Sequence, residues 1–166
     1  MGWRFTTHTK RGDNMSDREF KRFRDDLTAC VTAAIARRDE EHRIAQATYR
    51  LWSKLRESVV LPRFSFAADL LNREDFNLLA AVRRLNGGVE LNVWGREGSR
   101  ILSDRQFSLS FSPSDIPYTV EMKKTIPHEL SGHTHTFSLK HDEFAYYVGL
   151  EIDEFVRFML GVKEED

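Results

Sequence analysis

The sequence predicts an α+β domain, with a long N-terminal helix or helical hairpin, an antiparallel β-meander of about four to six strands, and helices on one face of the sheet. Three observations carry this. Apolar residues recur at helical spacing from Phe20 onward, and neither glycine nor proline occurs between Ser16 and Ser58. Apolar and polar residues alternate between turn signals from Val89 to Lys140, as strands with one buried face require. A last stripe, Phe144, Val148, Ile152, Phe155 and Met159, returns to helical spacing before Gly161.

The chain has 166 residues, 40% hydrophobic and 31% charged, which fits one domain able to bury a core. Residues 1–15 read as a flexible tail ending near Gly12-Asp13-Asn14, and residues 16–166 as a single α+β domain. Met15 is an alternative native start. Ser16 and Glu19 have the spacing in which each caps the other's backbone N–H at a helix start. The seam then runs Phe20, Phe23, Leu27, Cys30, Ala34, breaks at the polar Arg37 to Arg43 stretch, and resumes with Ile44, Thr48, Leu51 and Leu55. One helix of some 40 residues, or two joined near Arg38, satisfies the pattern. A single helix would extend to about 60 Å, longer than such a domain is wide, and would seek a partner.

Val59 to Phe66, β-branched and aromatic around Pro62, reads as an edge strand or strand entry. Asn72 then reads as the cap of a helix that buries Leu78, Leu79, Val82 and Leu85 and stops at Gly87-Gly88. The meander follows. Val89, Leu91 and Val93 alternate with polar residues; Gly95 to Gly98 turns the chain, and Ile101-Leu102 forms a short return strand. Phe107, Leu109 and Phe111 alternate with Ser108, Ser110 and Ser112, whose face is expected to meet water. Tyr118 to Met122 and His133 to Lys140 supply two more strands, and a helix begins near Asp142.

Composition excludes several function classes. The 25 Lys+Arg against 26 Asp+Glu rule out a uniformly basic nucleic-acid binder. No apolar run reaches the roughly 20 residues of a membrane span, and the first residues lack a secretory apolar stretch, so a cytoplasmic protein without membrane contact is expected. The single cysteine, Cys30, excludes an internal disulfide, and its seam position suggests a buried thiol. Phosphate-loop, dinucleotide-turn and nucleophile-elbow motifs are missing. Charge is nonetheless uneven: residues 1–24 hold seven bases and three acids, a net of +4, whereas residues 113–166 hold five bases and eleven acids, a net of −6.

Four of six histidines fall between His128 and His141. His128 and His133 are five apart, so a helix would turn the second about 140° from the first, which excludes a helical zinc-peptidase motif. On a strand, His133 and His135 share one side and can bind one metal, with His128 or Glu129 from the preceding turn as a third ligand. Zinc or manganese there would support hydrolysis with Glu129 as general base. Histidines at a strand start also commonly hydrogen-bond backbone or water, and no cofactor is expected on that reading. Asp104 with Glu121 and Lys123 offers a weaker magnesium set. The basic stretch 10–24, with Arg18, Lys21, Arg22 and Arg24, could contact nucleic-acid phosphates.

The reading these features favour is a non-catalytic interaction or assembly protein that binds another protein and forms a homodimer by coiled-coil pairing of its N-terminal helix. A metal-dependent hydrolase at His133/His135 and a nucleic-acid-associated factor are the alternatives.

Overall fold

The computed structural model describes residues 16–127 and 132–161, and the chain resolves into two compact units, one ending at His42 and the other beginning at Arg43. The expected tail, the native-start question at Met15, and the turn residues His128 and Glu129 lie outside the described residues.

Helix α1 spans Asp17–Leu55 without a break at Arg38, which decides between the two helical alternatives. The polar interruption lacks a breaker, and Arg37 pairs with Glu41 one turn on at 3.7 Å. A π-turn at Arg56–Val60, in which Leu61 N–H donates to Arg56 O, leads directly into α2, Leu61–Leu71. The strand expected from Val59 to Phe66 is therefore helix. Pro62 falls in the first turn of α2, immediately after the π-turn, and Val60, Phe64, Ala67 and Leu71 all enter the core.

The next expectation is also reversed. Asn72 terminates α2, a 3-10 turn occupies Glu74–Phe76, and Asn77 takes a left-handed conformation at φ 50. Residues Leu78–Arg84 then form strand β1. Leu-Leu-Ala-Ala has strong helix propensity, but pairing with β2 (Val89–Glu97) overrides it, setting Ala80 against Val93 and Val82 against Leu91. The Asn72 amide reaches across instead of capping a helix: Nδ2 donates to Ala80 O at 2.8 Å and Oδ1 accepts from Ala80 N–H at 2.7 Å. It satisfies β1 on its open edge as a neighbouring strand would.

Strands β3 (Arg100–Pro113), β4 (Thr119–Thr125) and β5 (His133–Ser138) complete an antiparallel sheet ordered β1-β2-β3-β4-β5. The short strand at Ile101-Leu102 and the strand at Phe107–Phe111 are one element, β3, in which residues 103–105 lack partners on β2 where the register shifts at Trp94/Gly95. Helix α3, Phe144–Met159, follows. One face of the sheet carries the core: Phe64 packs on Phe111 with ring centroids 5.9 Å apart, and Phe107 meets Phe158 edge-on at 5.9 Å. Trp52 is fully buried and its Nε1–H donates to Gly87 O at 2.6 Å. Thr48 Oγ1 accepts from Tyr118 N–H at 3.1 Å.

The opposite face is polar, but its serines do not all meet water. Ser108 is 9% exposed, flanked in register by the fully buried Asn92 and by Thr125. Asn92 accepts from Gln106 Nε2 at 2.9 Å and donates to Glu90 Oε1 at 2.5 Å. No helix among the described residues is long and apolar enough to cross a membrane.

Candidate functional site

Helix α1 begins with the reciprocal cap its sequence requires. Ser16 N–H donates to Glu19 Oε2 at 2.9 Å, and Glu19 N–H donates to Ser16 Oγ at 3.3 Å. The Ser16 backbone bond, then the bond from its hydroxyl, holds the Glu19 carboxyl below the ordinary carboxylate range. From this fixed start every residue through Arg43 is exposed. Among them are five large apolar side chains: Phe20 at 57%, Phe23 at 55%, Leu27 at 54%, Val31 at 53% and Ile35 at 55%.

At 100° per residue, Leu27 and Val31 project within about 20° of Phe20, while Phe23 and Ile35 lie about 60° to either side. The stripe is thus wider than the expected seam, which passed through Cys30 and Ala34 and did not include Val31 and Ile35. A straight helix drifts about 20° per heptad relative to a 3.5-residue repeat, and the 3.6-residue period would have found both residues. Cys30 is exposed, contrary to the buried thiol expected of it: residues 16–43 place no side chain in a core, so a seam position confers no burial.

The basic residues lie on the same segment. Arg18, Lys21 and Arg22 line one shallow surface depression, but Glu19 and Asp25 line it too, and Arg24 Nε lies 4.0 Å from Asp25. Acids interrupt the cationic track that would follow a phosphate backbone.

The histidine segment forms the strand expected. His133 and His135 share one side of β5, in register with Lys124 and Met122 of β4, and both are exposed. The His135 ring stacks on Phe137 at 6.4 Å. Lys124, the register partner of His133, forms an ion pair with Glu154 at 3.0 Å. His128 and Glu129, the other proposed ligands, are outside the described residues, and among those described no group of three or more His, Cys, Asp or Glu is placed to hold a metal ion. His141 is engaged separately: its Nδ1 accepts from Glu143 N–H at 3.1 Å, and its ring meets Tyr147 edge-on at 5.7 Å. Asp104 lies in the unpaired stretch of β3, and Glu121 and Lys123 project from the polar face of β4.

The chain matches no family model, no curated protein and no solved structure.

Proposed function

We propose that this is a non-catalytic interaction and assembly protein that self-associates through the N-terminal half of α1. The observation behind the reading is the stripe Phe20, Phe23, Leu27, Val31 and Ile35, each more than half exposed on one face of a helix. A contiguous apolar stripe of this kind is disfavoured in water, and fully burying one such side chain is worth about 1.5–3 kcal/mol, so covering five provides a driving force for association. A helix stripe facing a second helix is the simplest geometry that covers it.

Sedimentation velocity of the full chain over a concentration series tests the reading. The expected result is a concentration-dependent dimer that Leu27→Asp converts to monomer while the near-UV circular dichroism of the folded second unit is retained. Leu27 lies outside the core, so its substitution separates assembly from folding. A wild-type chain that stays monomeric at about 100 μM, weaker than most specific complexes, would refute self-association.

A further inference from the structure

The two edges of the sheet are not equally closed. On β1 the Asn72 amide occupies the outward N–H and C=O of Ala80, and the strand ends in Arg83 and Arg84. On β5 the outward groups are open. Leu139 N–H donates to Tyr118 O at 2.8 Å, so by strand alternation Phe137, His135 and His133 turn their backbone groups toward β4, and Thr134 and Thr136 turn theirs away from the sheet. Among the described residues nothing bonds the outward N–H or C=O of either threonine. The usual guards of an edge are missing too: His133–Ser138 holds no lysine, proline or acid, and its register with β4 runs without a bulge.

A cavity lies beside this edge. Thr136, Phe137 and Ser138 line it with His141, Phe144 and Tyr147, and β4 contributes nothing, which places it on the outer side of β5. Its volume of about 250 Å³ falls below the roughly 300–1,000 Å³ of small-molecule pockets and suits one long side chain. The surroundings are acidic. From His133 to Glu154 there are five acids and one base, a net of −4, and that base, Lys140, is drawn over the Tyr118 ring at 3.6 Å. Glu143 adjoins the cavity through Tyr147: its charge, then the hydrogen bond it accepts from the Tyr147 hydroxyl, pushes the Tyr147 pKa up.

We infer that the β5 edge takes an extended segment of a second protein as a sixth strand, with a lysine or arginine of that segment in the cavity. The outward groups of Thr134 and Thr136 supply the main-chain hydrogen bonds. The rings of Phe137, Phe144 and Tyr147 cover the apolar stem of the basic side chain, and its cation meets the Tyr147 ring and the Glu143 carboxylate. A second copy of this chain is the poorer occupant, because pairing β5 with β5 brings two acidic surroundings together. The inference is independent of self-association through α1, which uses other residues.

Fluorescence anisotropy of the full chain with four dye-labelled peptides, Thr-Val-Thr-X-Thr-Val-Thr with X as Lys, Arg, Leu or Glu, tests it. The Lys and Arg peptides should bind about tenfold more tightly than the Glu peptide, with Leu between them. Bound Lys peptide should slow amide exchange at Thr134 and Thr136, whose N–H groups it covers. Thr136→Pro removes one outward donor and no bond to β4, a change an edge strand tolerates, and should weaken the Lys peptide about tenfold while near-UV circular dichroism is retained. Glu143→Lys, at an exposed position, should reverse the preference between the Lys and Glu peptides. No binding by any of the four at about 1 mM would overturn the inference, as would equal binding of the Lys and Glu peptides. Protection of Thr134 and Thr136 that rises with protein concentration in the absence of peptide would assign the edge to a second copy and overturn it as well.

Discussion

Helix α1 up to His42 and helix α3 carry the same kind of apolar stripe, and only one is covered. In α3, Val148, Ile152 and Phe155 are buried against the sheet-borne core; in α1, Phe20, Phe23 and Leu27 are more than half exposed. The difference is not in helical periodicity. It lies in what each stripe finds: α3 returns to a face already lined by Phe107, Leu109 and Phe111, whereas residues 16–43 contribute nothing to the core cluster. The first region is held by local terms, its Ser16–Glu19 cap and in-helix pairs such as Arg37–Glu41, and the second by long-range burial. Amphipathicity alone therefore reports that a helix has something to bury, not where it is buried.

Phe64→Ala should cost about 3–5 kcal/mol of unfolding free energy, since Phe64 is fully buried against Phe111. Phe23→Ala, measured by urea unfolding at a concentration where the chain is monomeric, should fall within about 0.5 kcal/mol of wild type. Comparable losses for the two would mean that the stripe on α1 is packed within its own chain.

Asn72→Ala removes both bonds to the Ala80 backbone and should cost about 1–3 kcal/mol, because an edge-strand N–H and C=O lose their partners. Amide exchange would locate the loss: protection should fall at Ala80 before it falls at Leu91 or Leu109. Equal loss along the whole sheet would show that Asn72 supports the fold by some route other than β1.

Which elements were legible in the sequence follows the same local and long-range division. The start of α1, the meander and α3 were readable because caps and alternation are written in neighbouring residues, whereas the continuity of α1 was left open between one helix and two until the structure showed Asp17–Leu55 unbroken. Residues 59–66 and 72–85 were misread. Pro62 signals a strand edge or a helix start with equal propriety, and only the π-turn before it selects the helix. The Leu78 to Leu85 spacing imitates a helix until β2 pairs with it. Of the candidate surfaces, the stripe was legible in kind but misplaced in part, since Val31 and Ile35 emerge only when a straight helix is traced. The strand at His133 and His135 was legible; its Lys124–Glu154 neighbour was not, because that ion pair joins β4 to α3 across 30 residues.

Two hydrogen-bonded carboxylates, one in each region, contribute less than these buried groups. Glu57 accepts from both Arg84 guanidinium nitrogens, at 2.6 and 3.0 Å, and this bond, ahead of the Coulombic attraction of Arg84, holds its carboxyl below the ordinary range. Glu19 is lowered first by the Ser16 backbone bond. For both, the depressed folded value means the stabilisation is present above an ordinary glutamate value of about 4.3 and is lost as pH falls through the folded value. The consequences differ because the bonds differ in reach. Glu57 ties the π-turn to β1, so Glu57→Gln should lower the urea midpoint slightly at pH 7 and leave it nearer to wild type at pH 3, with added salt shrinking the pH 7 difference. Glu19→Gln removes charge from a cap that orders only its own first turn. It should raise amide exchange near the helix start at pH 7 and leave the urea midpoint of the second unit unmoved. A midpoint shift from Glu19→Gln as large as that from Glu57→Gln would mean that the exposed helix and the packed unit unfold as one, and the contrast between local and long-range stabilisation would no longer hold.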